Sequence, residues 1–432
     1  MRIDNSPARG NRDLLPATVA VRDHVLKSIT DVYRTFGYQR IETPVIENIE
    51  RLYGGQGGEN EKLIFEILRR GLPPEIEAGT RIRDLVDLGL RYDLTVPLTR
   101  FYGNNQASLP SPFRSLQVGP VWRAERPQKG RYRQFYQCDI DIIGEPSVLA
   151  EAELIEATSQ ALNAVGLDGI TVRLSDRRIL TALAVNAGVD EGMQDSFFIA
   201  LDKLDKIGWE GVTAEFQKIG IPVECVTAVV DNIGALSQLA VEKLQAGLAD
   251  ALPDLQPDVI EDFSTTAECL NRIASERSLN WQFDPTLVRG MGYYTGQIFE
   301  MSHGRMPGAV AGGGRYDRLI GRSLGKDVPA CGFSIGFERI VDLLESDVPR
   351  DAVALLADSQ VPVPDVMAAA RRLRSGGRAV ETVRGSGKFS AQLSRLERAG
   401  FSSFIRLRTE NGRTVLADER ALKPSAVSGP DE

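Results

Sequence analysis

Histidine is almost absent from this sequence, which has 432 residues and only two histidines, His24 and His303. That count nearly excludes a serine–histidine–aspartate relay or a metal centre built on several histidines. The four cysteines are scattered, and no two of them form a Cys-x-x-Cys pair. Their spacing argues against a zinc site and against a disulfide framework. We therefore expect no metal site, and a chemistry carried by other side chains.

Long apolar segments are missing too. No run approaches the roughly 18 apolar residues that a membrane-spanning helix needs, and the N-terminal residues lack the apolar core of a secretion signal. These absences predict a cytoplasmic protein with no membrane partner. The length allows two or three domains, each with its own core.

An overall positive charge is also lacking, because the formal net charge at pH 7 is −8. The distribution is uneven, however. Residues 371–408 contain ten lysines or arginines and two glutamates, so this segment carries +8 and the remainder −16. Phosphate contacts need a local basic face and not a basic total. The C-terminal segment is therefore a candidate for nucleic-acid binding.

Residues 118–144 form the most informative stretch of the chain. An apolar run that ends at Trp122 is followed by five cations and one carboxylate, with Pro127 and Gly130 among them. Proline and glycine between two apolar runs are typical of a loop that joins two strands. The cations are Arg123, Arg126, Lys129, Arg131 and Arg133, and the carboxylate is Glu125. Such a loop suits a polyphosphate, because planar guanidinium groups bind phosphate oxygens in pairs.

The predicted strand after this loop, residues 134–143, alternates in polarity. One face carries Phe135, Gln137, Asp139 and Asp141, and the other face is largely apolar. A solvated basic hairpin is the alternative interpretation. The apolar second face instead favours a central strand, in which a buried Asp141 needs a partner to offset its desolvation. The two strands and their loop thus predict a pocket for a small zwitterion beside a polyphosphate.

The segment from Arg123 to Gln137, RAERPQKGRYRQFYQ, resembles motif 2 of the class II aminoacyl-tRNA synthetases, in the form that histidyl-tRNA synthetases carry. Further stretches are similar to that family in the same chain order. They are an N-terminal signature at residues 6–16, motif 1 at 21–47, an Asp-x-Thr stretch at 90–100, the histidyl signature at 287–296 and motif 3 at 331–339. The resemblance implies an α+β fold, in which an antiparallel class II sheet is flanked by helices and motif 1 builds a homodimer interface.

Local patterns around motif 1 predict a helix and a strand. Helical periodicity runs over residues 21–36, and Gly37 is suited to end the helix. Residues 38–47 then have the composition of a strand interrupted by Pro44. An edge strand, where proline is tolerated, is an equally good interpretation.

Three other segments receive local predictions. A strand is expected to end at residues 93–95, before a helix that starts at Pro97. Residues 68–89 are interpreted as a charged surface excursion. The glycine-rich residues 311–317 are interpreted as a loop that ends at a helix start, where backbone can approach a ligand closely.

Composition and resemblance together predict four segments. They are a first catalytic part at 1–176, a helical insertion at 177–280, a second catalytic part at 281–345 and a small α/β domain similar to anticodon-binding domains at 350–425. The resemblance implies that the insertion helps to clamp the acceptor end of tRNA. The last eight residues, SAVSGPDE, are expected to be disordered.

The resemblance also implies roles for individual residues. Catalysis falls to Arg123 and Arg289 on the α-phosphate, and ATP binding to Arg123, Glu125, Arg131 and Arg339. The substrate's amino group falls to Asp93, Leu94, Thr95 and Gln137, and its imidazole to Asp141 with Tyr293 or Tyr294. Asp93 and Thr95 could instead cap the helix that follows them. Mg²⁺ would travel with ATP, held by phosphates and water, without a tightly bound cofactor.

The implied activity is the ATP-dependent joining of L-histidine to tRNA(His) through a histidyl-adenylate. Two alternatives stay open: a histidine-sensing regulatory subunit of ATP phosphoribosyltransferase, and a ligase that loads an acceptor other than tRNA. Retained arginines and the basic C-terminal segment argue against the sensor. Gly292, at a position where the family usually has a polar residue, is compatible with the second alternative.

Overall fold

The computed structural model describes residues 4–54, 60–73, 75–127, 131–277, 279–289, 293–344 and 350–422. Contacts divide the chain into two units, Met1–Leu14 with Arg22–Leu344, and Leu15–Val21 with Glu345–Glu432. Within the described ranges, no helix is both long enough and apolar enough to cross a membrane. The four domain segments predicted from the sequence remain predictions.

Both units contain helices and strands. The helices are α1 Pro16–Thr35, α2 Ile49–Tyr53, α3 Thr95–Asn105, α4 Leu149–Ala164, α5 Arg177–Asn186, α6 Gln194–Leu201, α7 Leu204–Lys218, α8 Val223–Leu236, α9 Leu244–Ala251, α10 Pro257–Glu276, α11 Asp317–Leu324, α12 Phe337–Leu343, α13 Val363–Arg374 and α14 Phe389–Arg398. The strands are β1 Gln39–Ile41, β2 Ile46–Asn48, β3 Phe65–Leu68, β4 Val86–Leu90, β5 Phe113–Trp122, β6 Gln134–Ile143, β7 Thr171–Asp176, β8 Asn280–Phe283, β9 Gln297–Ser302, β10 Ala309–Arg315, β11 Ala330–Ile335, β12 Arg350–Ala357, β13 Val380–Arg384, β14 Phe401–Glu410, β15 Arg413–Leu416 and β16 Arg420–Ala421.

The first unit is built around an eight-stranded sheet in the order β1-β5-β6-β11-β10-β9-β7-β8. Its inner pairs are antiparallel, and the outer pairs β1–β5 and β7–β8 are parallel. On β6, the side chains of Cys138, Ile140 and Ile142 are almost fully buried, and α4 packs against β6 and β11. This sheet with its flanking helices confirms the predicted α+β class.

The long hairpin predicted from residues 118–144 is present. β5 and β6 pair in antiparallel register from Phe113 opposite Ile143 to Trp122 opposite Gln134. The arginine-bearing loop joins them as predicted in its described parts, residues 123–127 and 131–133. Lys129 and Gly130 lie outside the described residues.

Around motif 1, α1 begins earlier than predicted, at Pro16, and ends before Gly37, whose φ of +80° suits glycine at a helix end. Residues 38–47 do not form one strand. β1 pairs with β5 of the large sheet, whereas β2 joins a three-stranded sheet in the order β2-β4-β3. Pro44 lies between them, where its missing N–H breaks no ladder.

Two other local predictions are wrong in part. Helix α3 begins at Thr95 and not at Pro97. Pro97 is tolerated as its third residue, because the N–H groups of the first helical turn have no intrahelical partner. The strand before it ends at Leu90, so the Asp93–Thr95 pair does not lie on a strand. The excursion at 68–89 is mostly exposed up to residue 81, but its end, from Val86, is β4.

The glycine-rich segment 311–317 is not a loop. Most of it is strand β10, which pairs with β9 on one side and with β11 on the other. As a rule, glycine disfavours strands. The rule is overridden here because neighbouring side chains pack directly onto the backbone of β10.

Helices α5–α10 lie between β7 and β8 in the chain, in a segment whose spacing predicts helices. The second unit has a mixed sheet in the order β13-β12-β14-β15, with β16 on β14. Its α13 packs Val366 and Ala369 with Leu355 of the sheet, while α14 packs Leu396 with Leu356. This is the small α/β architecture that alternating strand and helix patterns predict.

Candidate active site

A cavity of about 440 Å³ lies over β6, β10 and β11 of the large sheet. Among the described residues, every predicted site residue except Leu94 lines it. These are Asp93, Thr95, Arg123, Glu125, Arg131, Gln137, Asp141, Arg289, Tyr293, Tyr294 and Arg339. Leu94 is buried, and its carbonyl accepts a hydrogen bond from Gln117 Nε2 at 3.1 Å. The fold thus gathers residues that are up to 246 positions apart in sequence.

The Asp93–Thr95 pair lies at the start of α3. Asp93 Oδ1 accepts a hydrogen bond from the Val96 N–H at 3.0 Å, which is the capping role left open by the sequence. Both residues also line the cavity. Asp93 can therefore cap α3 and also contact a ligand, because the capping bond fixes the orientation of its carboxylate beside the cavity.

Asp141 is held at the bottom of the cavity by Tyr316. Tyr316 Oη donates to Asp141 Oδ1 at 2.5 Å, and both side chains are buried. Burial raises the pKa of Asp141 to about 7, although the hydrogen bond from Tyr316 opposes this shift. The other oxygen, Oδ2, is buried and has no hydrogen bond of good geometry among the described residues, although the Ser115 hydroxyl on the neighbouring strand lowers the pKa of Asp141. Such an acceptor is costly to leave unmet, so it suits an N–H donor from a ligand.

Tyr316 was missed by the sequence reasoning. It lies between β10 and α11, and 175 positions separate it from Asp141. Its only signal was its place at the end of the glycine-rich segment. That segment was interpreted as a loop, so nothing brought the phenol next to Asp141.

Tyr293 and Tyr294 form one wall of the cavity. Their ring centroids are 4.3 Å apart, with an angle of 49° between the ring planes. Burial raises the pKa of both phenols, so both hydroxyl groups keep their protons at neutral pH and can donate hydrogen bonds. Gly292, the departure from the family pattern, lies outside the described residues.

Two arginines that line the cavity are fixed by hydrogen bonds. Arg123 Nε donates to the Tyr92 carbonyl at 3.1 Å, and its guanidinium carbon lies 5.0 Å from the centre of the Phe135 ring. Arg289 Nε donates to Glu300 Oε2 at 2.7 Å. A Cβ added at Gly312 would lie 2.8 Å from the guanidinium carbon of Arg289. The missing side chain therefore allows Arg289 to lie against the β10 backbone.

A third arginine of the cavity, Arg339, lies near other cations. Arg339, on α12, donates from Nη1 to the Ala309 carbonyl. Burial, and then the positive charges of Arg131 and Arg289, lower the pKa of Arg339. Arg131 is itself 3.8 Å from Glu125 Oε2. Cations that repel one another in this way form a preorganised site for a polyanion, because binding relieves the repulsion.

Gln137, on β6, also lines the cavity. Its Nε2 donates to Ser334 Oγ at 3.1 Å. Its Oε1 is buried and has no hydrogen-bond partner among the described residues. This oxygen is a second acceptor that a ligand could satisfy. Within the described ranges, no group of three or more His, Cys, Asp or Glu side chains is arranged to hold a metal ion.

Sequence comparison places these residues in a known context. A family profile described as histidyl-tRNA synthetase matches residues 10–340. A histidine–tRNA ligase of Leifsonia xyli is 47% identical over 412 residues, which cover 92% of this chain and 94% of that protein. A probable histidine–tRNA ligase of Tropheryma whipplei is 41% identical over 411 residues, 93% of this chain and 95% of its own.

Solved structures with the same fold cover nearly the whole chain. A histidyl-tRNA synthetase from Nostoc sp. PCC 7120 superposes with a TM-score of 0.78 at 25% identity and covers 97% of both chains. A Bacillus halodurans protein is titled an ATP phosphoribosyltransferase regulatory subunit/histidyl-tRNA synthetase. It gives a TM-score of 0.76 at 20% identity, over 95% of this chain and 100% of that one. At that identity, the second likeness concerns the fold alone.

Proposed function

The chain belongs to the histidyl-tRNA synthetase family, and we propose that its cavity activates L-histidine with ATP and passes the product to tRNA(His). The family assignment makes the chain an aminoacyl-tRNA synthetase, with the activity of a histidine–tRNA ligase. One observation supports the residue roles most directly. Four arginines and two buried acceptor oxygens, Asp141 Oδ2 and Gln137 Oε1, belong to residues that line a single cavity.

Activation is the attack of the histidine carboxylate on the α-phosphorus of ATP, with pyrophosphate as the leaving group. The nucleophile is already ionised at neutral pH, so the site needs no general base. It must align the two reactants and place positive charge where negative charge accumulates. Arg123 and Arg289, fixed from Tyr92 and Glu300 respectively, approach the α-phosphate from two sides.

The part of the cavity around Asp141 recognises histidine. Asp141 Oδ2 accepts an imidazole N–H, and Tyr316 keeps that carboxylate in position through Oδ1. A phenol of Tyr293 or Tyr294 donates to the second ring nitrogen. A site with such fixed polar partners rejects isosteres that lack the ring nitrogens, by ~10⁴ or more, because its own groups would stay unpaired.

The amino group of histidine lies at Asp93, Thr95 and Gln137. Gln137 Oε1, which is buried and unmet, accepts from the ammonium. Asp93 supplies the negative charge from the start of α3. Leu94 contributes through its backbone carbonyl, which accepts a hydrogen bond from Gln117 Nε2 and so fixes the backbone between Asp93 and Thr95.

ATP binds at the arginines that line the cavity. Glu125 and Arg131 orient the nucleotide at the arginine loop, and Arg339 lies over the phosphates. Mg²⁺ enters as the ATP complex, held by phosphate oxygens and water. The phosphates then supply a counter-charge to Arg339, whose pKa burial and the charges of Arg131 and Arg289 lower.

The remaining parts serve tRNA and assembly. The basic segment 371–408 lies in the second unit and contacts tRNA phosphates. Helices α5–α10 help to hold the acceptor end. The enzyme works as a homodimer in the cytoplasm, since motif 1 supplies a two-fold interface in the family that it resembles.

The decisive experiment is histidine-dependent ATP–pyrophosphate exchange, followed by charging of total tRNA. Arg289→Ala should lower the exchange rate by a hundredfold or more, roughly the effect of removing one oxyanion donor. Histidine and ATP affinities should change much less, because the arginine acts mainly on charge that develops during attack. Arg289→Lys should rescue poorly, since an ammonium cannot span two oxygens.

Arg272→Ala is the matched control, because Arg272 is an exposed arginine of α10 that pairs with Glu268. It should leave the exchange rate unchanged. A histidine sensor predicts the opposite pattern, with no exchange in the parent protein and an effect of Arg289→Ala on histidine affinity alone. Equal exchange rates in the parent and Arg289→Ala would end the catalytic assignment. Exchange without charging of any tRNA would favour a different acceptor.

A further inference from the structure

Next to Gln137, the side chains of Asp139 and Ser334 continue its hydrogen bond across two neighbouring strands, and both also line the cavity. Asp139 follows Gln137 by two positions on β6 and shares its face. Ser334 on β11 lies directly opposite Asp139 in the antiparallel register. Ser334 Oγ donates to Asp139 Oδ1 at 2.5 Å, and Gln137 Nε2 donates to Ser334 Oγ at 3.1 Å.

The direction of this chain of bonds follows from the number of hydrogens. A serine hydroxyl has one proton, and here Asp139 takes it. Ser334 Oγ can then only accept from Gln137, which requires the NH₂ end of the amide. Gln137 Oε1 is therefore the end left over, and it is the buried oxygen without a partner among the described residues.

We propose that Asp139 is a positioning residue, which acts through Ser334 to keep the carbonyl end of the Gln137 amide toward the α-ammonium of the substrate. This inference rests on the proposed binding of histidine in this cavity. Without an acceptor at position 139, the Ser334 proton is free to bind Gln137 Oε1. The amide would then turn, and its NH₂ group would face a positively charged ligand.

The cost of Asp139 supports a role of this kind. The residue is 4% exposed, and burial raises its pKa well above the ordinary value, against the effect of the Ser334 hydrogen bond. The negative charges of Asp141 and Asp93 raise it further. A carboxyl group is expensive at such a place. The proposed relay is the chain of hydrogen bonds from Asp139 through Ser334 to Gln137. It requires only an acceptor at position 139, and a carboxyl group supplies one whether or not it is ionised.

The relay is tested by ligands that differ at the amino group. L-Histidine and histidinol carry the ammonium, whereas imidazolepropionate lacks it. Calorimetric affinities for all three are measured with the full chain and with Asp139→Ala, Ser334→Ala, the double variant and Asp139→Asn. Ser175→Ala is the matched control, because Ser175 is a fully buried strand serine of the same sheet that does not line the cavity among the described residues.

Asp139→Ala should weaken both amines by roughly tenfold or more, the effect of losing a charge-assisted hydrogen bond. Imidazolepropionate should change by less than ~2-fold, because the ring contacts remain. Asp139→Asn keeps an acceptor oxygen and should stay within ~3-fold of the parent for all three ligands. Adding Ser334→Ala to Asp139→Ala should cause no further loss of amine affinity, because both act through one chain of bonds.

Equal losses for all three ligands in Asp139→Ala would indicate a merely structural residue and overturn the relay. Additive effects of the two substitutions, or a loss in Asp139→Asn as large as in Asp139→Ala, would overturn it as well. If the parent protein binds histidine, and Asp139→Ala still prefers histidine and histidinol to imidazolepropionate as strongly as the parent does, the relay is refuted but the proposed function is not. A parent that does not bind histidine refutes the proposed function together with it.

Discussion

Asp141→Asn should stabilise the protein at alkaline pH while it damages histidine recognition. The carboxyl group has an ordinary pKa of 3.8 and a folded-state pKa of about 7, and burial is the largest cause of the shift. The folded state therefore binds a proton more tightly than the unfolded state does. The stability associated with this proton is fully present below pH 3.8 and is lost as the pH rises through about 7.

The magnitude follows from the size of the shift. Each pKa unit corresponds to about 1.4 kcal/mol, so raising the pH from 5 to 8 should cost the parent roughly 3 kcal/mol through this group. Asparagine has no such proton to lose. The difference in unfolding free energy between the variant and the parent should therefore grow in favour of the variant by roughly that amount.

Ligand-free thermal unfolding at pH 5 and pH 8 measures this difference. The melting temperature of Asp141→Asn relative to the parent should rise by several degrees between the two pH values. The exposed Asp168 supplies the control Asp168→Asn, which should follow the parent at both. In exchange assays at pH 8, Asp141→Asn should raise the KM for histidine by ~10- to 100-fold, with little change in the KM for ATP.

The reasoning fails if the difference in melting temperature is the same at pH 5 and pH 8, because the buried carboxyl would then not be titrating in this range. An unchanged histidine dependence would place Asp141 outside the recognition site. If Asp141→Asn gained stability at pH 8 without losing histidine recognition, Asp141 would be a buried carboxyl group bonded to Tyr316 that takes no part in the proposed recognition.

Four further predictions follow from the structure. Gly312→Ala should lower the exchange rate by displacing the Arg289 guanidinium, with histidine affinity, measured by calorimetry, unchanged. Breaking the buried pair in which Arg315 donates twice to Glu151, at 2.6 Å each, should cost about 3–5 kcal/mol in Glu151→Ala, measured by denaturant unfolding. Removal of residues 352–432 should leave exchange largely intact but reduce tRNA charging, and charging by the full chain should weaken steeply with salt. Light scattering at micromolar concentration should give the mass of a dimer, and a monomer mass would count against the proposed interface.

The sequence predicted best where a pattern acts locally. Alternation along residues 134–143 correctly placed Gln137, Asp139 and Asp141 on one face, because period two is a property of the strand itself. Likewise, the helix before Gly37 ends where a glycine can take a positive φ. The strand and helix order of the second unit follows from the same kind of local signal.

The misses depend on contacts between distant segments. Tyr316 and Ser334 acquire a role only through the packing and antiparallel pairing of β6, β10 and β11, and no pattern within either segment shows this. Gly312 was assigned to a loop, but it lies in β10, which pairs with strands on both sides and has the Arg289 guanidinium close to its backbone. Asp93 was placed on a strand face although it caps α3, since spacing alone does not distinguish the end of a strand from the start of a helix.

The parallel pairing of β7 with β8 has a consequence for how this chain can change in evolution. Parallel neighbours need a crossover of about a dozen residues, and they set no upper limit on its length. Lengthening a dozen residues to the present excursion of 103, from 177 to 279, adds only about 2 kcal/mol of loop-closure entropy. Helix α5 packs on β7 and β9, and α10 packs on α4 and β8, whereas α6–α9 pack mainly on one another, on α5 and on α10, with an ion pair from Asp205 of α7 to Arg173 of β7. Residues between α5 and α10 can therefore be exchanged, shortened or extended in related enzymes while the register of the catalytic sheet stays the same.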